Sequence, residues 1–116
     1  MPGPITLILK RKDNSIDYVA SGKQTIGIRI PNNKIILSIL EKLNEPLVAP
    51  SANISGKPSG IEINSIIEDF KEDVDVYING GKCELEQGST IVEVVNNDIK
   101  IIRQGKITLE DIQKVL

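Results

Sequence analysis

The run Pro-Leu-Val-Ala-Pro-Ser-Ala-Asn-Ile-Ser-Gly-Lys-Pro-Ser-Gly at residues 46–60 restricts the fold of this chain more than any other segment. Its apolar start predicts a short strand over residues 46–49. Beyond that, Pro46, Pro50 and Pro58 forbid a helix and cannot donate to a ladder, so the rest is a loop. Ser51, Asn53, Ser55 and Ser59 crowd into that loop, and a hydrophobic core has no use for them. A phosphate-rich or otherwise very polar ligand does. Composition alone also allows an ordinary Ser/Gly/Pro-rich surface turn.

The remaining elements are predicted from periodicity. Residues 5–10 are apolar and partly β-branched, as in a strand. Residues 25–30 alternate, placing Ile26, Ile28 and Ile30 on one face and Thr25, Gly27 and Arg29 on the other, until Pro31 ends the ladder. Asn32 or Asn33 can cap a helix that runs to Leu43 on a stripe of Ile36, Ile39, Leu40 and Leu43, with Asn44 at its end. A second helix is expected from Ile61 to about Glu72 and a strand over residues 74–78, closed by the turn Asn79-Gly80-Gly81. Residues 90–95 and 99–103 form a hairpin around Asn96-Asn97-Asp98, and Thr108 caps a last helix. Adjacent strands alternating with helix-separated ones indicate an α/β (α+β) fold with a mixed sheet, in one domain.

Composition narrows the function. Aromatic residues make up 3% of the 116-residue chain, so the core is aliphatic and isoleucine-led. Fourteen basic residues face sixteen acidic ones, and the net charge of −2 argues against a direct grip on RNA. There is no histidine, which removes Ser-His-Asp, Cys-His and histidine–zinc chemistry from this chain. The single cysteine, Cys83, excludes an internal disulfide and suggests a cytoplasmic setting, with either a buried or incidental thiol or a nucleophile. Neither a signal peptide nor a membrane-length apolar run is visible, so no membrane partner is expected. Glu62, Glu68, Glu84 and Glu86 fit solvated faces better than a metal site.

Three further features could carry ligand chemistry. Arg29 offers a guanidinium fork for a carboxylate or phosphate, on a face it shares with Thr25, or it lies on the solvent side of an edge strand. Arg103 ends a strand before Gln104-Gly105, at a ligand or simply at the surface. Gln87-Gly88-Ser89-Thr90 could present backbone amides to an anion.

Taken in order, Pro2-Gly3-Pro4-Ile5-Thr6-Leu7, residues 25–31, residues 46–59 with their Ser51-Ala-Asn-x-Ser-Gly56 centre, Asn79-Gly80-Gly81, Gly88-Ser89-Thr90-Ile91-Val92 and Ile102-Arg103-Gln104-Gly105 resemble the YrdC-like domain family, the threonylcarbamoyl-AMP synthases. The resemblance covers nearly the whole chain and implies a twisted mixed sheet with flanking helices. It implies an adenylating activity that joins L-threonine, bicarbonate and ATP, with Mg²⁺ on the phosphates and no prosthetic group, and releases pyrophosphate. The product serves threonylcarbamoyladenosine modification of tRNA, which the domain meets only indirectly through other proteins. By motif position, Thr25, Ser51, Asn53, Ser59 and Arg103 are implied ATP contacts; Arg29, Ala49 and Ser89 are implied L-threonine contacts. No residue is implied as a catalytic acid, base or metal ligand.

The family's Pro-Thr-x-Thr-x-Tyr-Gly-Leu and Lys-x-Arg segments are not found in this sequence. Gln87-Gly88-Ser89 also stands where Gly-x-Glu-Ser is usual, and Gln104 where proline is common. The expectation is therefore the C-terminal part of one YrdC-like domain at residues 1–116, with Met1 an internal methionine, inactive or poorly active alone. A sheet cut there would expose an apolar edge able to pair with a second copy. Two alternative functions are an RNA-binding module and a YrdC-like paralogue with related carbamoyl-adenylating chemistry.

Overall fold

The computed structural model describes residues 1–83, 88–96 and 98–115. They divide into two compact units, one formed by Met1–Glu45 with Gln87–Leu116 and one by Pro46–Glu86.

The first unit is built on a four-stranded sheet. Its strands are β1 (Ile5–Lys10), β2 (Thr25–Ile28), β3 (Thr90–Val95) and β4 (Asp98–Arg103), in the spatial order β2-β1-β3-β4. β1 pairs antiparallel with β2 and parallel with β3, and β3 pairs antiparallel with β4. The sheet is therefore mixed, as the irregular spacing of elements predicts, and its open edges are β2 and β4. Register sorts the side chains. Leu7 lies opposite Ile28 and Val92, and Leu9 opposite Ile26, so these aliphatic groups share one face. Ile8 lies opposite Gly27 and Thr6 opposite Ile91, on the other face. Val92 and Thr90, both on the central strand β3, are the most completely buried of the described residues, at 1% and 0% exposure.

Helix α1 (Asp17–Ala20) follows β1 and is not foreshadowed by periodicity, because a four-residue turn is too short to carry a stripe. The Arg11 side chain, 3% exposed, lies 2.5 Å from the Asp17 carboxylate and ties α1 to the end of β1. Among the described residues its Nε and Nη1 find no directed hydrogen-bond acceptor, so the contact is coulombic. Helix α2 (Lys34–Leu43) begins where Asn33 accepts from the backbone N–H groups of Ile35 and Ile36, and it ends on Asn44 in the left-handed conformation. Both ends lie where the asparagines predict them. Helix α4 (Leu109–Gln113) opens on a full capping box between Thr108 and Asp111.

The second unit holds helix α3 (Ile63–Phe70) and a 3₁₀ turn at Lys71–Asp73. The helix is two residues shorter at each end than the expected range of residue 61 to about 72. Two expected strands are absent: residues 46–49 and 74–78 form no ladder. Apolar, β-branched composition favours extended backbone, but a strand exists only through a partner, and no described residue of this unit pairs with either segment. Val48 and Val76 accordingly stay 68% and 70% exposed. β2 likewise ends at Ile28 rather than Ile30, although the Gly3 N–H still reaches the Ile30 carbonyl at 2.9 Å. The turn at Asn79-Gly80-Gly81 forms as predicted, with the Gly81 N–H donating to Asn79 Oδ1 at 3.0 Å and Gly81 at φ +90°. Asn97, expected at the centre of the hairpin turn, lies outside the described residues, as do Glu84, Glu86 and Gln87.

Candidate functional site

Each unit contributes one cluster of candidate side chains. In the first unit the cluster sits where β1 begins, β3 begins and β4 ends. Ser89, 6% exposed, is its centre. Its hydroxyl lies 2.9 Å from Thr6 Oγ1, and its carbonyl accepts from both Nε (3.1 Å) and Nη2 (2.9 Å) of Arg103. Arg103 Nη2 also reaches Ser89 Oγ at 3.3 Å. Arg103 thus spends much of its fork on one backbone carbonyl, and its charge lies against Ser89 even though the residue as a whole is exposed. Thr6, quoted above only as part of a strand motif, is the member that motif reasoning assigns no role. A lone hydroxyl at an alternating position in Ile5-Thr6-Leu7-Ile8 is the signal that could have found it.

Two neighbours make this geometry obligatory. Thr90 is wholly buried, and its hydroxyl accepts from the N–H groups of Gly105 (3.0 Å) and Ile107 (3.1 Å) while donating to the Ile107 carbonyl (2.8 Å). Its own N–H donates to Pro4. The amide and hydroxyl of Thr90 are therefore spent inside the fold and are not offered to an anion. Gly105 is required for close approach: a Cβ there would lie 2.6 Å from the Thr90 nitrogen and 2.8 Å from the Ser89 carbonyl carbon. The Gly105 turn and the Ser89-Thr90 backbone are in effect in contact.

Arg29 is exposed and follows β2 directly; one step past the Leu7–Ile28 pair, the register places it opposite Thr6. Thr25, at the other end of β2, is half-buried and opposite Lys10. The expected sharing of one face by Thr25 and Arg29 follows from register, but they stand at opposite ends of the strand.

In the second unit the loop at residues 51–59 closes on Asn53. Its amide nitrogen donates to the carbonyls of Ile54 (3.2 Å) and Lys57 (3.0 Å), and its Oδ1 accepts from the Ser59 hydroxyl at 3.4 Å. Gly56 at φ +86° supplies the reversal, and Lys57 pairs with Asp69 of α3 at 2.7 Å. The amide that the motif offers to a nucleotide is thus already engaged in shaping the loop. Ser51 and Ala49 remain exposed. Cys83 is exposed rather than buried. Glu62 and Glu68 are on the surface, and the Glu62 carboxylate lies 3.4 Å from Lys82 Nζ.

Known proteins resemble this chain over nearly its whole length. Residues 1–105 match the Sua5/YciO/YrdC family model, described as telomere recombination. A threonylcarbamoyl-AMP synthase of Pyrococcus abyssi is 35% identical over 115 residues, which are 99% of this chain and 34% of that protein. A putative threonylcarbamoyl-AMP synthase of Methanocaldococcus jannaschii is 41% identical over 116 residues, 98% of this chain and 53% of that protein. The crystal structure of P. abyssi Sua5 complexed with L-threonine superposes with a TM-score of 0.89 at 35% identity, over 99% of this chain and 34% of that one. E. coli YciO superposes at 0.81 with 26% identity, over 96% and 54%. The chain spans about a third to a half of the length of these relatives.

Proposed function

The chain belongs to the Sua5/YciO/YrdC family, and we propose that it forms part of an L-threonylcarbamoyladenylate synthase, a nucleotidyltransferase acting on L-threonine, bicarbonate and ATP. The observation that carries this reading is the polar end of the sheet: buried Ser89, gripped by Thr6 and Arg103, with Arg29 in register beyond Thr6. A buried hydroxyl and an exposed guanidinium on one side of a sheet suit an amino-acid substrate, which brings a carboxylate and small polar groups. A structure of the related P. abyssi protein contains L-threonine.

The roles then divide by unit. In the first unit Arg29 binds the threonine carboxylate, Ser89 hydrogen-bonds the amino acid, and Thr25 and Arg103 serve the nucleotide. In the second unit, taken by itself, the backbone at Ala49 is offered to the amino acid and Ser51 and Ser59 to the nucleotide, while Asn53 shapes the loop that carries the two serines. The chemistry is attack of a carboxylate-type oxygen on the α-phosphorus, a reaction governed by positioning and charge neutralisation. Hydroxyls, amides and arginines provide both, and no histidine is needed. Mg²⁺ would neutralise phosphate charge in such a reaction. The described residues hold no cluster of three metal-ligating side chains, so no residue of this chain is assigned to it.

The test is formation of threonylcarbamoyl-AMP from ATP, bicarbonate and L-threonine, followed by mass spectrometry. The chain alone is expected to be poorly active, and to bind L-threonine without turning it over. Turnover at the rate of longer relatives would refute the first expectation. Arg29→Ala should weaken L-threonine binding by about 2–4 kcal/mol, the scale for losing a charge-assisted partner. An unchanged affinity would remove Arg29 from the site.

A further inference from the structure

Ser89 has one proton to give and two lone pairs to receive. Arg103 Nη2, which can only donate, occupies one lone pair at 3.3 Å. Among the described residues, Thr6 Oγ1, at 2.9 Å, is the other polar side chain bonded to that hydroxyl. If Thr6 donates as well, both lone pairs of Ser89 are filled and its proton must be given to a third group. Thr6 is built to hold that position. It is β-branched and half-buried, and its methyl lies 3.4 Å from where a Cβ would stand at Gly27, so the strand pairing limits how its hydroxyl can turn.

We propose that Thr6 is a positioning residue that turns the Ser89 hydroxyl into a dedicated donor to an acceptor oxygen of the bound amino-acid substrate. The chain of donation runs from Thr6 to Ser89 to substrate. The Arg103 guanidinium against Ser89 polarises the hydroxyl in the same sense, and linked hydrogen bonds reinforce one another. Without Thr6, Ser89 keeps its place, because Arg103 still holds its carbonyl at two points. It loses its direction, since the free lone pair lets the proton rotate among several partners.

This inference rests on the reading of Ser89 as an amino-acid contact, and the experiment separates the two. Isotope-labelled chain is titrated with L-threonine and, separately, with ATP, following amide shifts by NMR. Thr6→Val should weaken L-threonine binding about five- to tenfold, the worth of one hydrogen bond. Thr6→Ser should restore it to within about twofold, ATP binding should not move, and melting should stay close to wild type. Should Thr6→Val fail to fold, Thr6→Ala replaces it in the same comparison with Thr6→Ser. Wild-type affinity in Thr6→Val, or an equal loss in Thr6→Ser, overturns the proposal. Absence of an L-threonine response in the wild type, or equal affinity in Ser89→Ala, overturns the reading of Ser89 beneath it.

Discussion

The two candidate clusters use the same residue types in opposite ways. Around Ser89 and Thr90 the hydroxyls are buried, and their partners lie far away in sequence: Thr6 is 83 residues from Ser89, and Ile107 is 17 from Thr90. Around Asn53 the bonds are exposed and short in range: those of the Asn53 side chain reach one to six residues, and Lys57 reaches Asp69, twelve away. The first arrangement is part of what holds the sheet together. The second shapes a loop and little else. An unsatisfied buried group costs far more than an exposed one, because water replaces only the latter's partner.

That contrast sets an order of expected effects. Gly105→Val should be the most damaging single change, since its side chain would displace the Ser89-Thr90 backbone. We expect a loss of at least about 3 kcal/mol in denaturant unfolding. Thr90→Val keeps the shape but strands the N–H donors of Gly105 and Ile107, while the Ile107 carbonyl still accepts from Gln104 Nε2, and it should cost about 2 kcal/mol by the same measurement. A near-neutral result for either would show that the polar end of the sheet is not the anchor its burial indicates.

Asn53→Ala should leave global unfolding within about 0.5 kcal/mol of wild type, while limited proteolysis within residues 51–59 quickens. If it instead melted the sheet, the separation between the two clusters would collapse. The smallest effect concerns α4. The backbone N–H and hydroxyl of Thr108 hold the Asp111 carboxyl below the ordinary carboxylate range. Because the folded pKa is lowered, the cap contributes above the unfolded value of about 4 and is lost as pH falls through the folded value. Amide exchange in α4 should therefore quicken in acid, and Asp111→Asn should remove that pH response without disturbing the strands.

Legibility followed the range of the interactions. Asn33, Asn44 and Thr108 mark helix ends because a cap acts within a turn or so of its own residue. The alternation at residues 25–30 and the turn at Asn79-Gly80-Gly81 are equally local. The strands expected at residues 46–49 and 74–78 failed for the converse reason: pairing is a property of two segments, and the sequence of one does not say whether a partner stands beside it. In the candidate site, the order of motifs picked out Ser89, Arg29 and Arg103 but not the bond from Thr6 to Ser89. Asn53 was recognised as part of the loop, yet its engagement with Ile54, Lys57 and Ser59 appears only once the loop is closed.

The sequence by itself determined the kind of molecule: an aliphatic mixed α/β chain without histidine, carrying the ordered Ser51-Ala-Asn, Gly88-Ser89-Thr90 and Arg103-Gln104-Gly105 motifs. Those features are composition and local order, and they need no neighbour. Only the tertiary structure decided which polar groups are spent and which are offered. Thr90 is consumed within the fold, Arg103 is turned onto a backbone carbonyl, and Thr6 is brought to Ser89 across the β1–β3 pair. A hydroxyl's role depends on which lone pairs and protons its neighbours take, and those neighbours are assembled by the sheet.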